Sequence, residues 1–246
     1  MYFEEYGDKN NPTIIFLHCA AIVEIYFKQY SLSDRYHIVV PHLYGSGKEV
    51  QTDFSFEKNE KAIVDIIKYI GKEKVYIIGH SEGANLAFAL VSHHSELFNK
   101  AIISSPMVDK SDKIARMKSL YISVMYGIMK TKWMGKVYVK FLSINDANRT
   151  QSFLDYWTKI SKNTWQSYYT DRITFEMCPQ FKAVTIPIFC ILGTKEPKII
   201  KQTVQKMQEI NPNCNIKYMQ GVGHDHPIKK ADELQKIILD YFCEPL

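Results

Sequence analysis

The sequence has few cysteines and no long apolar run, and each absence excludes a class of protein. The five cysteines among 246 residues are odd in number, widely spaced and without any CxxC or Cys/His pattern, so neither a disulfide framework nor a metal site is predicted. The longest apolar stretches, such as IIFLHCAAIV, are far shorter than the ~20 residues that a membrane span needs. The beginning of the chain, MYFEEYGDKN, lacks the apolar core of a secretory signal. We therefore predict no membrane span and a cytoplasmic location.

Strong charge of one sign is also missing. The formal net charge is only +5, from 31 Lys and Arg against 26 Asp and Glu. The densest basic stretch, MKTKWMGKVYVK at 129–140, has no nucleic-acid-binding signature, and we interpret it as a solvated lysine face. No nucleic-acid partner is predicted. The apolar fraction of 46% is that of an ordinary globular protein, whose length suits one α/β domain or two small ones.

Short β-forming runs alternate with amphipathic helical runs over most of the chain. Several of the β-forming runs are apolar at consecutive positions, which is typical of strands buried on both faces of a parallel sheet. Strands are predicted at 12–19, 36–43, 74–80, 100–106, 186–193 and 215–222, and MYFEEY is a possible antiparallel edge strand. Helices are predicted at 56–71, 81–94, 198–210 and 227–242. The pattern predicts an α/β fold, with a mostly parallel sheet of about seven strands covered by helices on both faces.

Residues 107–183 break this alternation. They contain no good strand, are rich in lysine, methionine and aromatic residues, and include helical patterns such as IARMKSLYISVMYGIMKTKW. So long a segment is too long for a simple loop. We predict a helical insertion, or cap, that lies over one edge of the sheet, while residues 1–106 and 184–246 form the core domain.

The stretch KVYIIGHSEGA places one serine between two glycines, in the bend between a predicted strand and a predicted helix. Ligands bind at the carboxyl ends of the strands of an open parallel sheet, so this bend holds Ser81 at the expected site. Gly79 and Gly83 would let the helix pass close to the strand. With only 11 glycines in the chain, the pattern in this context indicates that Ser81 is a nucleophile.

A serine nucleophile needs a base, which is itself oriented by a carboxylate. The segment GVGHDHP follows the last predicted strand, and we favour His224 over His226 because His226 precedes a proline at the start of a helix. Glu196 follows the penultimate strand at the same edge and is the favoured acid, with Asp109 as the alternative. The backbone N–H of Glu82 is one expected donor to an oxyanion, and a second would come from the loop of His18, Cys19, Ala20 and Ala21. We interpret Cys19 as a buried, inert residue.

Together these motifs resemble the α/β-hydrolase superfamily, specifically its small, cap-bearing, esterase-like members, over nearly the whole chain. GHSEG resembles the nucleophile elbow, GTKEP the acid loop, GVGHDHP the histidine loop, FLHCAAI the oxyanion turn and PHLYGSGKE the family's Pro-Asp-x-x-Gly-x-Gly segment. The resemblance implies a cap inserted between the sixth and seventh strands of the fold and a backbone oxyanion donor at Ala20. Two residues depart from the family pattern, because Cys19 replaces a glycine and His42 replaces an aspartate.

The expected function is that of a serine hydrolase of the carboxylesterase kind, with a Ser81–His224–Glu196 triad and a small-molecule ester as substrate. His18, Cys19, Met107, Trp157 and Trp165 are predicted to line the substrate pocket, and no cofactor or metal is required. The same triad also fits a thioesterase, a lactonase, a C–C bond hydrolase or an aminopeptidase, and the same pocket fits a non-catalytic binding protein. Whether the protein is a monomer or a homodimer stays open.

Overall fold

A central sheet organises the chain in the computed structural model, which describes residues 1–108 and 112–243. The strands are β1 Phe3–Tyr6, β2 Thr13–Leu17, β3 His37–Pro41, β4 Val75–His80, β5 Phe98–Ser104, β6 Ile188–Gly193 and β7 Cys214–Met219. Within the described residues they form one seven-stranded sheet in the order β1-β3-β2-β4-β5-β6-β7. Only β1 is antiparallel to its neighbour, β3. The predicted α/β fold, including the antiparallel edge strand, is confirmed.

Nine α-helices lie in the described part of the chain. They are α1 Phe56–Ile70, α2 Glu82–His93, α3 Asp112–Met129, α4 Lys132–Phe141, α5 Ala147–Trp157, α6 Lys162–Thr170, α7 Lys198–Ile210, α8 His226–Lys229 and α9 Ala231–Cys243. The sequence pattern did not predict the 3-10 helix Val23–Asp34 between β2 and β3. Its buried residues include Val23, Glu24, Tyr26 and Gln29, and so follow no single helical face.

The two faces of the sheet contact different helices. Phe16 of β2 and Tyr76 of β4 point to the same face, because Phe16 is in register with the residue two positions after Tyr76. The Phe16 ring lies 5.0 Å from that of Tyr26, and Tyr76 stacks on Phe242 of α9 at 4.3 Å. Helix α2 packs closely against β2 and β4 at Gly83, where an added Cβ would lie 2.2 Å from the Leu17 carbonyl oxygen. The glycines of the bend therefore allow the close approach that the sequence predicted.

Helices α3 to α6 form the insertion, which separates β5 from β6 in the numbering of this seven-stranded sheet. The insertion contacts the rest of the chain through polar side chains. Tyr156 of α5 donates a hydrogen bond to Glu24, and Tyr168 of α6 contacts Ser46 at 2.9 Å. The division into a core and a cap at residues 107–183 stays a prediction. No helix among the described residues is both long and apolar enough to cross a membrane.

Candidate active site

Ser81 lies in a strained bend between the end of β4 and the start of α2. Its backbone angles are φ 56° and ψ −116°, a left-handed conformation that is costly for any residue except glycine. The Ser81 N–H donates to the Ser104 carbonyl at 2.9 Å, which ties the bend to β5. The Ser81 hydroxyl donates to Oε2 of Glu82 at 3.3 Å. Such a bend holds the hydroxyl above the edge of the sheet, beside the first turn of a helix.

His224 and Glu196 lie on two loops that touch at the same edge of the sheet. The Lys195 N–H donates to the Val222 carbonyl at 2.8 Å, and this contact brings the loops after β6 and β7 together. His224 Nδ1 lies 3.1 Å from Oε1 and 3.3 Å from Oε2 of Glu196. The His224 side chain is 44% exposed, whereas that of Glu196 is fully buried. The imidazole is therefore held by a buried carboxylate while part of its ring faces the solvent.

Ser105 is a partner of Glu196 that the sequence analysis missed. It follows β5, and its hydroxyl donates to Glu196 Oε1 at 2.5 Å. Burial raises the pKa of Glu196, but the hydrogen bond and charge of His224, together with the Ser105 hydroxyl, outweigh burial and hold this pKa below its ordinary value. Glu196 is accordingly charged near neutral pH. The alternative acid, Asp109, lies outside the described residues.

The other two histidines of this region, His80 and His226, are buried and share Ser104 as a partner. His226 Nδ1 lies 3.1 Å from the Gly223 carbonyl, which can only accept, so Nδ1 carries the proton and Nε2 accepts from the Ser104 hydroxyl at 2.7 Å. Ser104 also lies 3.1 Å from His80 Nδ1. Burial lowers the pKa of His226 to about 4 and that of His80 well below its ordinary value. Both rings are neutral near pH 7, and neither nitrogen of His226 is left for Ser81.

A cavity of about 270 Å³ opens above Ser81 and His224. The core contributes Cys19, Ala20, Ile22, Ile25, His80, Ser81, His224 and Asp225, and the insertion contributes Tyr138, Phe141, Trp157, Trp165 and Tyr169. A second cavity of about 250 Å³ lies beside it and shares Tyr138, Trp157, Trp165 and Tyr169. The same aromatic rings therefore line both cavities, and aromatic side chains make up much of the lining next to the serine.

Three of the five residues predicted for the pocket line this cavity, namely Cys19, Trp157 and Trp165. His18 and Met107 are not among the residues that line it. His18 is buried, and its Nδ1 donates to the Cys19 carbonyl at 2.7 Å while its Nε2 accepts from Leu43 N–H at 3.0 Å. Met107 lies where its N–H donates to Asn85 Oδ1 at 2.8 Å. The His18 ring and the Met107 backbone therefore hold their own loops through these hydrogen bonds.

The turn expected to hold an oxyanion has an unusual backbone. Ala21 has a positive φ of 62°, and its N–H donates at 3.1 Å to the hydroxyl of Tyr168 from the insertion. The neighbouring Ala20 lines the cavity, and Glu82 is the first residue of α2. Burial raises the pKa of Cys19, so its thiol is protonated at neutral pH. Ala20 on this turn and Glu82 at the start of α2 stay the residues whose N–H groups are predicted to stabilise negative charge on a substrate oxygen.

His42, which replaces an aspartate of the family pattern, has its own hydrogen bonds. Its Nδ1 accepts from Lys48 N–H at 3.0 Å, and its Nε2 lies 3.4 Å from Glu4 Oε1. An added Cβ on Gly47, whose φ is 54°, would lie 2.1 Å from this Nδ1. The histidine therefore orders this loop through contacts that an aspartate would make differently. No group of three or more His, Cys, Asp and Glu side chains within residues 1–108 and 112–243 is arranged to hold a metal ion.

The parallel sheet, the serine bend and the loops that end β6 and β7 define an α/β hydrolase. Residues 36–228 match the sequence profile of the serine aminopeptidase S33 family of hydrolases. Because this match covers more than half of the chain, the chain belongs to that family. A curated relative, the monoglyceride lipase homolog of Monkeypox virus, is 22% identical over 206 residues, which cover 79% of this chain and 73% of the relative.

Solved structures of other hydrolases share the fold. A carboxylesterase of the thaumarchaeon Nitrososphaera gargenis matches with a TM-score of 0.77 and 16% identity, over 98% of this chain and 93% of that chain. The enol-lactonase of Burkholderia xenovorans LB400 matches with a TM-score of 0.80 and 13% identity, over 99% and 96% of the two chains. At these identities the likeness establishes the fold, and the reaction has to be argued from the site.

Proposed function

We propose that the protein is a serine hydrolase that cleaves carboxylic esters of small to medium, apolar acyl groups. The observation that supports this proposal is the arrangement of three side chains. A serine in a strained strand-to-helix bend shares a cavity with a partly exposed histidine, whose other ring nitrogen contacts a buried carboxylate. That arrangement provides the nucleophile, the base and the group that orients the base.

In the proposed reaction, His224 takes the proton from Ser81 while the serine oxygen attacks the ester carbonyl. Glu196 accepts from His224 Nδ1 and stabilises the imidazolium that forms. The backbone N–H groups of Glu82 and Ala20 hold the tetrahedral oxyanion. His224 then gives its proton to the departing alcohol, and water, activated by the same histidine, releases the acid from Ser81.

The choice of ester and acyl group is supported by the lining of the cavity and by the relatives. Tyr138, Phe141, Trp157, Trp165 and Tyr169 offer apolar ring surface to an acyl chain. The described lining residues include one acidic side chain, Asp225, so the cavity lacks the acidic cluster that a free substrate amine would favour. A monoglyceride lipase homolog and a carboxylesterase are among the relatives, and both names refer to ester hydrolysis.

Labelling with a fluorophosphonate, followed by intact-mass spectrometry, tests the proposed nucleophile. We expect one adduct on the unchanged protein and on Ser152→Ala, a variant of an exposed serine on α5, and none on Ser81→Ala. No adduct on folded, unchanged protein would contradict an activated serine and favour a binding protein. A panel of matched esters, thioesters, lactones and aminoacyl amides then tests the bond, and faster turnover of any other class would overturn the ester assignment.

A further inference from the structure

The insertion exposes large apolar side chains to solvent on two neighbouring helices. Of the eleven large apolar residues that are exposed in the described part of the chain, eight lie on α3 and α4. They are Met117, Leu120, Tyr121, Val124 and Ile128 of α3, and Trp133, Val137 and Phe141 of α4. We call these eight residues the apolar face. Single exposed apolar residues are normal on a protein surface, whereas a cluster of this size indicates an interaction site.

The apolar face is ordered along both helices. At about 100° per residue, its five members on α3 fall within an arc of about 100°, and its three members on α4 within an arc of about 80°. The opposite sides of the helices are already packed. Tyr126 of α3 donates to the Ile160 carbonyl at 3.1 Å, and Trp157 Nε1 donates to the Met129 carbonyl at 2.8 Å. On α4, an added Cβ on the buried Gly135 would lie 2.8 Å from Leu154 of α5. Each helix is thus held by its inner side, and the apolar face is a second, outward surface.

The charged residues within 113–145, the stretch that carries the apolar face, are all basic. Between Asp112 and Asp146 the sequence contains seven Lys and Arg residues and no Asp or Glu. Lys132, Lys136 and Lys140 repeat every four residues on α4, next to the row that begins at Trp133. Two copies of this surface would bring cations against cations, which disfavours self-association. An anionic lipid surface complements both the apolar residues and the lysines around them.

The apolar face adjoins the openings of both aromatic cavities. Phe141 belongs to the face and also lines the cavity that holds Ser81. Tyr121 belongs to the face and lines the second cavity. A surface that covers this face therefore lies against the openings through which an apolar molecule would reach the serine. Since neither helix has the length and apolar character of a membrane span, the helices would lie along a bilayer instead of crossing it.

We propose that the apolar face of α3 and α4 binds anionic lipid bilayers, with Trp133, Val124 and Leu120 inserted among the lipids and the lysines on the headgroups. The three side chains are 65%, 76% and 68% exposed in the free protein, so insertion needs no rearrangement of the core. This binding goes beyond the proposed ester hydrolysis and does not depend on it. Anionic headgroups would then be the partner of the basic stretch at 129–140, which the sequence alone indicated to be a solvated lysine face.

Sedimentation with vesicles of phosphatidylcholine containing about 30% phosphatidylserine tests the proposal. The full chain carrying Ser81→Ala is used, so that the lipid is not hydrolysed and failure of the proposed reaction cannot affect the result. We expect the protein to sediment with these vesicles, and to bind at least about tenfold more weakly to pure phosphatidylcholine or in about 0.5 M salt. Protein that stays in the supernatant with anionic vesicles would overturn the proposal.

Two variants test whether vesicle binding requires the apolar face or is nonspecific adsorption. Leu120→Gln combined with Val124→Gln is expected to weaken vesicle binding by about tenfold or more without changing the melting temperature, because both side chains are exposed. The matched control is Tyr69→Gln, which removes a side chain that is 78% exposed on α1, away from the insertion. Equal binding by the double variant and the control, or loss of a dimer as the only effect of the double variant, would contradict lipid binding.

Tryptophan fluorescence gives an independent readout. Trp133 is exposed, whereas Trp157 and Trp165, which complete the set of three tryptophans, are buried. A shift of the emission to shorter wavelength on addition of anionic vesicles therefore reports Trp133 entering the lipid. The shift is expected to disappear in Trp133→Phe, while that variant still sediments with the vesicles. A shift that persists in Trp133→Phe would come from Trp157 or Trp165 in the aromatic cavities and would contradict the insertion of Trp133 among the lipids.

Discussion

Replacing Glu24 with glutamine is expected to stabilise the protein at alkaline pH, because the folded chain buries this carboxyl group. Glu24 lies on the 3-10 helix Val23–Asp34 and is 7% exposed. Its Oε2 accepts a hydrogen bond from the hydroxyl of Tyr156 on α5. Burial raises the pKa of Glu24 to about 7 from an ordinary value of 4.5, although the Tyr156 hydroxyl acts in the opposite direction.

The sign and size of the effect follow from this pKa. A carboxyl group with a raised pKa binds its proton more tightly in the folded than in the unfolded chain, so its contribution is most favourable below pH 4.5. That contribution is lost as the pH rises from 4.5 to about 7 and is constant above that range. The difference in pKa corresponds to about 3 kcal/mol of unfolding free energy. Glutamine can still accept from Tyr156 but does not ionise.

Urea unfolding at about pH 8.5 and about pH 4 measures this contribution. We expect Glu24→Gln to be more stable than the unchanged protein by about 3 kcal/mol at the higher pH and equally stable, within about 1 kcal/mol, at the lower pH. Glu176→Gln, at an exposed position, is the control and is expected to change neither value. A difference that is the same at both pH values, or a variant less stable at high pH, would show that the ionised Glu24 is adequately paired and would refute the reasoning.

Two further substitutions test the site and its support. Glu196→Gln leaves His224 without a charged partner. We therefore expect kcat for the proposed ester hydrolysis to fall by about a thousandfold or more, with little change in KM. A loss of kcat below about tenfold would exclude Glu196 as the orienting acid. Gly79→Ala would place its Cβ 2.1 Å from the Gly83 carbonyl oxygen, and we expect thermal or urea unfolding to show a loss of more than about 2 kcal/mol. Its matched control is Gly127→Ala, at a helical glycine with open space around it, which is expected to leave stability unchanged or to raise it by up to about 1 kcal/mol. Equal effects of the two glycine variants would argue against close packing at the bend.

Local patterns in the sequence were sufficient to predict the fold. Consecutive apolar residues such as Ile14, Ile15 and Phe16 occupy a strand that is buried on both faces, and the glycines around Ser81 allow α2 to pass close to the sheet. Because parallel strands end at one edge, the order of the elements along the chain also placed Glu196 and His224 on neighbouring loops. Their contact follows from the topology, while their catalytic role stays a prediction.

Contacts between distant segments were decided only by the tertiary structure. Nothing local marks Ser105 as the donor to Glu196, Tyr168 as the partner of the Ala21 N–H, or His18 as a residue that turns away from the cavity. Each of these depends on where a side chain points after elements that are 25 to 147 residues apart have packed.

The insertion shows most clearly what the sequence pattern could not predict. Its apolar periodicity predicts amphipathic helices, but periodicity does not distinguish an apolar residue that packs inward from one that faces solvent. On α4, Tyr138 lines a cavity whereas Val137, its neighbour in the chain, is exposed. The sequence by itself determined that these residues form helices. Only the packing of α3 and α4 against α5 and α6 decided which apolar side chains remain outside, because burial depends on the partner surface and not on the helix alone.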